Sequence, residues 1–131
     1  MRTLILVGFL FAHVAAFAQN GWQAPEEAIS KKSPIDLTNE KVILRGEKLF
    51  GNTCWTCHGE EGKGDGVAAE ALDPQPSDLT SVASQSQSDG SFFWKITKGR
   101  GNMVGYEDAL SEEQRWQLVA FIRSLAQEQE Q

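Results

Sequence analysis

The sequence predicts an all-α domain of three to four helices, and three observations predict it. Apolar residues recur at helical spacing in two long segments, each opened by a residue that caps helices well. Glycine- and proline-rich stretches separate the periodic segments. No run alternates apolar and polar residues as a half-buried strand would.

The chain opens with Met1-Arg2, then an apolar run from Leu4 to Ala16 and an A-x-A pattern at Ala16-Phe17-Ala18. This is the layout of a secretory signal peptide, with cleavage expected after Ala18. The competing reading is a retained anchor, but the run is short for a bilayer span. No second hydrophobic stretch follows, so a soluble, exported mature protein without stable membrane insertion is expected. Cleavage removes Arg2, His13 and Met1. Lys plus Arg falls from 12 to 11 against 18 acids, and the formal charge moves from −6 to −7. His58 and Met103 are then the sole histidine and methionine. An acidic chain without a basic run is a poor nucleic-acid binder, so no nucleic-acid partner is expected.

Residues 19–37 read as a flexible N-terminal arm with prolines at Pro25 and Pro34. Within it, Trp22 either pins the arm to the domain or sits in solvent. A domain is expected over 38–126. Its first helix begins at Thr38-Asn39 with Glu40 in the first turn, and Val42, Ile43, Gly46, Leu49 and Phe50 recur at helical spacing toward Cys54. Gly59 to Gly66 holds four glycines in eight positions and reads as a loop. Pro74 and Pro76 mark further irregular chain, and Ser81 to Gly90 reads as a polar loop. A short helix is expected from an Asp89 cap through Phe93, Trp94, Ile96 and Thr97, closed by Gly99. A loop around Met103 follows. Ser111 with Gln114 forms a capping-box signature for the last helix, whose apolar face is Trp116, Leu118, Val119, Phe121, Ile122 and Leu125. Residues 127–131 form a polar tail expected to fray.

The chemistry lies in Cys54-Trp55-Thr56-Cys57-His58, a C-x-x-C-H run. That pattern is the attachment signature of c-type haem. Two thiols three apart on a helical turn reach the vinyl groups on one edge of a porphyrin, and the adjoining imidazole reaches the iron. A structural zinc site takes about four ligands, and two cysteines with one histidine fall short. A thioredoxin-like disulfide is the stronger rival, but it calls for a strand before the motif. One covalent haem c is therefore the expected cofactor, held by Cys54 and Cys57 with His58 as one axial iron ligand.

Met103 is the expected second axial ligand. Met/His ligation raises the reduction potential and suits electron transfer. The competing reading is a core filler, which the flanks Gly101-Asn102 and Gly105 argue against. With both axial positions filled, no catalysis at iron is expected. Phe92, Phe93, Trp94 and Tyr106 bracket the Met103 loop as candidate walls of a haem crevice. Lys63, Lys95, Lys98 and Arg100 are candidates for pairing with haem propionates or for steering an acidic partner.

These residues resemble the class I cytochrome c family, over about Thr38 to Leu125. The resemblance rests on Gly46-x-x-x-Phe50-x-x-x-Cys54-x-x-Cys57-His58, on His58-Gly59-x-x-Gly62-x-Gly64-Asp65-Gly66, and on Leu72-x-Pro74-x-Pro76-x-Asp78-Leu79. It implies that Gly46 and Phe50 cross the C-terminal helix at Leu118 and Phe121. It also implies that a carbonyl in the Pro74 to Pro76 stretch accepts the Nδ1–H of His58. The implied role is a periplasmic one-electron carrier rather than an enzyme. Its donor would be a dehydrogenase or quinol-oxidising complex, its acceptor an oxidase or reductase. A bound subunit of a larger oxidoreductase, a haem sensor and a haem-free thiol protein are the alternatives. Two departures stand out: Asn102 and Val104, not proline, flank Met103, and the Ser81–Gly90 segment reads as an insertion.

Overall fold

A computed structural model describes residues 21–126. The expected signal peptide at 1–18, the first residues of the expected arm and the expected tail at 127–131 lie outside the described residues. Six helices follow in order: α1 (Glu26–Ile29), α2 (Glu40–Thr53), α3 (Trp55–His58), α4 (Val82–Gln85), α5 (Asp89–Lys98) and α6 (Glu112–Ser124), with a 3₁₀ turn at Ala69–Ala71. The three long ones are those the sequence announces. The other three are single turns, too short to show a period. No strand occurs among the described residues; Arg100 and Met103 form an isolated bridge.

Local chemistry sets the helix starts. Asn39 Oδ1 accepts the backbone N–H groups of Lys41 and Val42, opening α2. Ser111 and Gln114 form the full capping box of α6. The cap of α5 is Ser88, whose hydroxyl accepts from Ser91 N–H, and not Asp89. Asp89 instead holds the Arg123 guanidinium at 2.6 Å. Gly99 ends α5 at φ 63°, a left-handed conformation that favours glycine.

The core is the crossing of α2 over α6. A Cβ on Gly46 would run into the Gln117 carbonyl and stand 2.9 Å from Phe121 Cβ, so glycine sets how closely the two backbones approach. Opposite Gly46 are therefore Gln117 and Phe121. One turn on, Phe50 (2% exposed) packs its ring 5.1 Å from that of Phe121. Helix α6 is buried from Trp116 to Ile122 because α5 covers another side, where Trp116 and Phe93 stack at 4.3 Å.

The polar segment from Ser81 is more structured than a loop. Ser81 caps α4, Ser84 is buried, and the Gln85 side chain donates to the carbonyls of Leu79 and Ile122. Arg123 then gathers the carbonyls of Gln85 and Gln87. Serine and glutamine here replace apolar packing with hydrogen bonds, which periodicity in hydrophobicity does not detect. The described part of the arm lies on the domain: Ala24 and Ala28 are buried, and a Cβ on Gly90 would strike the Ala28 carbonyl where α1 meets α5.

Candidate functional site

Helix α2 ends at Cys54, where φ of −117° breaks the run, and α3 begins at the next residue. Cys57 and His58 stay tied to this corner through N–H bonds to the Cys54 carbonyl, at 3.2 and 2.9 Å. A helix this short leaves most of its carbonyls unmatched. The glycine run supplies donors for them. Gly64 N–H bonds the His58 carbonyl, Gly66 the Cys57 carbonyl and Ala68 the Thr56 carbonyl, at 2.8, 3.1 and 2.9 Å. The loop is thus a cap that fixes the motif, and a Cβ on Gly66 would overlap the Thr56 and Cys57 backbone.

The motif faces an apolar cavity of about 300 Å³, within the range of cofactor sites. Cys54, Cys57, His58 and Met103 all line it. Both cysteines are free thiols. Burial pushes the Cys54 thiol up, opposed by a contact with the Thr53 hydroxyl and reinforced by Cys57. Burial lowers the His58 pKa, against a smaller opposing influence of the Ser77 backbone. The imidazole is therefore neutral at pH 7, the state in which it can ligate a metal. Its Nδ1 is buried without a hydrogen bond, and the Ser77 backbone lies close to the ring. Pro74, Gln75 and Pro76 line the same cavity beside it. Phe50 stands 6.4 Å from the His58 ring and forms part of the wall.

The loop carrying Met103 is held by main-chain bonds rather than by proline. Arg100 N–H bonds the Met103 carbonyl at 2.9 Å, and Met103 N–H returns to Arg100 at 3.0 Å. Tyr106 N–H ties the far end to the Ile96 carbonyl, and a Cβ on Gly105 would meet the Lys98 carbonyl at 2.6 Å. The Tyr106 hydroxyl donates to the Thr53 carbonyl at 2.9 Å, linking this loop to the residue before Cys54.

Of the four bracketing aromatics, Phe92 and Tyr106 line the cavity. Phe93 faces the other way, onto Trp116, and Trp94 packs against Trp22 at 6.4 Å. Phe92 and Phe93, adjacent on α5, project to different sides of the helix, so only some of these aromatics form the wall. Of the four cations, Lys95 and Arg100 line the cavity. Lys98 pairs with Glu107 at 2.7 Å and Lys63 with Glu61. The site residue that sequence reasoning missed is Trp22, which also lines the cavity. Its signal was a lone large aromatic in an otherwise polar arm.

The donor set fits a c-type haem: two free thiols and a neutral imidazole on one helical corner, a thioether on a braced loop, and an apolar cavity between. The cytochrome c family model matches residues 43–126. No curated protein matches. Among solved structures, a chain of the reducing HAO-like protein complex of Kuenenia stuttgartiensis is 28% identical, with a TM-score of 0.58. The match covers 76% of this chain and 54% of that one, so this chain spans about half the length of its structural relative.

Proposed function

The chain belongs to the cytochrome c family, and from that premise we propose a periplasmic one-electron carrier with a single haem c ligated by His58 and Met103. Covalent c-type haem and electron transfer belong to the family; the ligand set, the location and the partners are our reading. The observation that carries it is that Cys54, Cys57, His58 and Met103 line one apolar cavity. When bound, the haem supplies a one-electron iron couple.

The chain's own residues would then divide the work. Cys54 and Cys57 anchor the group through thioethers, so it cannot dissociate. His58 offers a neutral nitrogen from a ring held by the α2–α3 corner. Met103 offers a thioether from the braced loop, and that ligation raises the potential. Phe50, Phe92, Leu118 and Ile122 exclude water, which also tunes the potential. The scheme assigns 1–18 to a signal peptide, 19–37 to the N-terminal arm, 38–126 to the cytochrome domain and 127–131 to a tail. Among the described residues no helix is long and apolar enough to cross a membrane. A dehydrogenase or quinol-oxidising complex would serve as donor, an oxidase or reductase as acceptor.

The test is a visible spectrum of the protein expressed with a cytochrome c maturation system. A c-type spectrum is expected, with the weak red band of a methionine–ferric bond that Met103→Ala abolishes. A haem spectrum whose red band survives Met103→Ala overturns the ligand assignment, and absence of haem overturns the whole reading. A second reading is favoured by the structural relative, which is part of a protein complex. In it this chain is a bound subunit of a larger oxidoreductase. Co-purification of a fixed partner at constant stoichiometry would support that form, and a monomer throughout would refute it.

A further inference from the structure

We infer that Trp22 is a positioning residue for the Met103 loop, supplied to the cofactor site from outside the family domain. The family match begins at residue 43, well beyond Trp22. The indole nonetheless lines the same cavity as Met103. Its ring carries two cations. The Arg100 guanidinium lies 4.9 Å from the ring centroid and the Lys95 amine 5.3 Å, both within cation–π range. Trp94 packs against it from α5 at 6.4 Å.

These contacts join two elements. Lys95 and Trp94 belong to α5, whereas Arg100 lies beyond its end and exchanges both backbone hydrogen bonds with Met103. Trp22 therefore holds Arg100, and through its bridge Met103, against α5. Neither Arg100 nor Lys95 has a carboxylate partner among the described ion pairs, so the ring is the group that seats Arg100 there. Ala24 and Ala28, buried where α1 packs on α5, hold the segment in place.

The role rests on Met103 being the second ligand, and the experiment separates the two claims. Imidazole is added to the ferric holoprotein, and the loss of the methionine–ferric band is followed by stopped flow. At saturating imidazole the rate reports release of the Met103 loop. Trp22→Ala and Arg100→Gln should each raise that limit about threefold, the factor that the one cation–π contact broken on release supplies. Trp22→Phe keeps an aromatic face and should stay near wild type. If Arg100 acts through Trp22, the double variant should stay at about threefold rather than reach the roughly ninefold product of independent effects.

A Trp22→Ala limit within about twofold of wild type overturns the inference, as does full multiplication in the double variant. Should Trp22→Ala fail to fold, Trp22→Leu, which keeps apolar bulk without an aromatic face, takes its place in the same comparison. Met103→Ala is the separating control. Loss of its band with an unchanged Trp22→Ala rate sinks only the role of Trp22. A band that survives in Met103→Ala sinks the ligation on which that role depends.

Discussion

Two glycines in one helix should respond to the same substitution with opposite signs. Gly46 and Gly51 both lie in α2, and alanine raises intrinsic helix stability at either by up to about 1 kcal/mol. At Gly51 a new Cβ meets nothing within 4 Å, so that gain should appear almost undiminished. At Gly46 the Cβ lands on the Gln117 carbonyl and against Phe121 Cβ. Backbone cannot rotate away as a flexible side chain can, so α2 and α6 must separate. Overpacking of this kind costs about 1–3 kcal/mol, and more where the obstacle is main chain. Separation also loosens the Phe50–Phe121 contact and the buried face of α6. The net expectation is a loss of about 1–3 kcal/mol for Gly46→Ala against a gain of up to about 1 for Gly51→Ala. Urea unfolding of the holoproteins, followed by far-ultraviolet circular dichroism, reads both on one scale. A Gly46→Ala midpoint at or above wild type would refute the close crossing and the account of α6 built on it.

Other perturbations test other parts of the structure. Phe50→Ala should cost about 3–5 kcal/mol, because a side chain 2% exposed is removed from the helix crossing and the cavity wall together; thermal unfolding with a shift of a few degrees or less would exclude this. Arg123→Ala should lose about 1–3 kcal/mol by freeing Asp89 and the Gln85 and Gln87 carbonyls, measured in urea. Tyr106 is the chain's one tyrosine, so phenolate absorbance reports it alone. Burial, the largest cause, raises its pKa, opposed by the Thr53 side-chain hydroxyl. Its neutral form is favoured in the fold, so the unfolded state loses the proton first as pH rises. Stability should therefore fall from about pH 10, the unfolded value, up to the folded pKa. Tyr106→Phe should flatten that alkaline decline, and an equal decline in both proteins would assign it elsewhere.

What could be read from the sequence was whatever repeats or caps. The α2 and α6 helices follow from spacing and from Asn39 and Ser111, and the C-x-x-C-H run stands out unaided. The finer features depend on which atoms face each other across the chain. Ser88 rather than Asp89 caps α5 because Arg123 claims the carboxylate, a contact across 34 positions. Phe92 and Phe93 look alike in sequence and face opposite sides of α5. Trp22 enters the cavity from a segment whose composition reads as solvent-exposed. Its partners Lys95 and Arg100 are far away along the chain. The serine- and glutamine-rich segment misleads for a related reason: its order comes from side-chain bonds to main chain.

The two halves of the site are built to different standards of rigidity, and this decides where variation can act. Cys54, Cys57 and His58 sit on a corner whose carbonyls are bonded by the glycine run and whose preceding helix crosses a buried α6. Disturbing that corner means disturbing the core. Met103 hangs instead on a loop held by a few main-chain bonds, by the Tyr106 hydroxyl and by Arg100 against Trp22. Such a loop can open without global unfolding, since low-stability segments have few buried apolar contacts. Changes on the loop side should alter release of Met103 while leaving the fold intact. Changes on the corner side should lower stability and attachment together. The arm segment carrying Trp22 falls in the first class, so under the proposed ligation sequence change there would adjust the iron environment without repacking the domain.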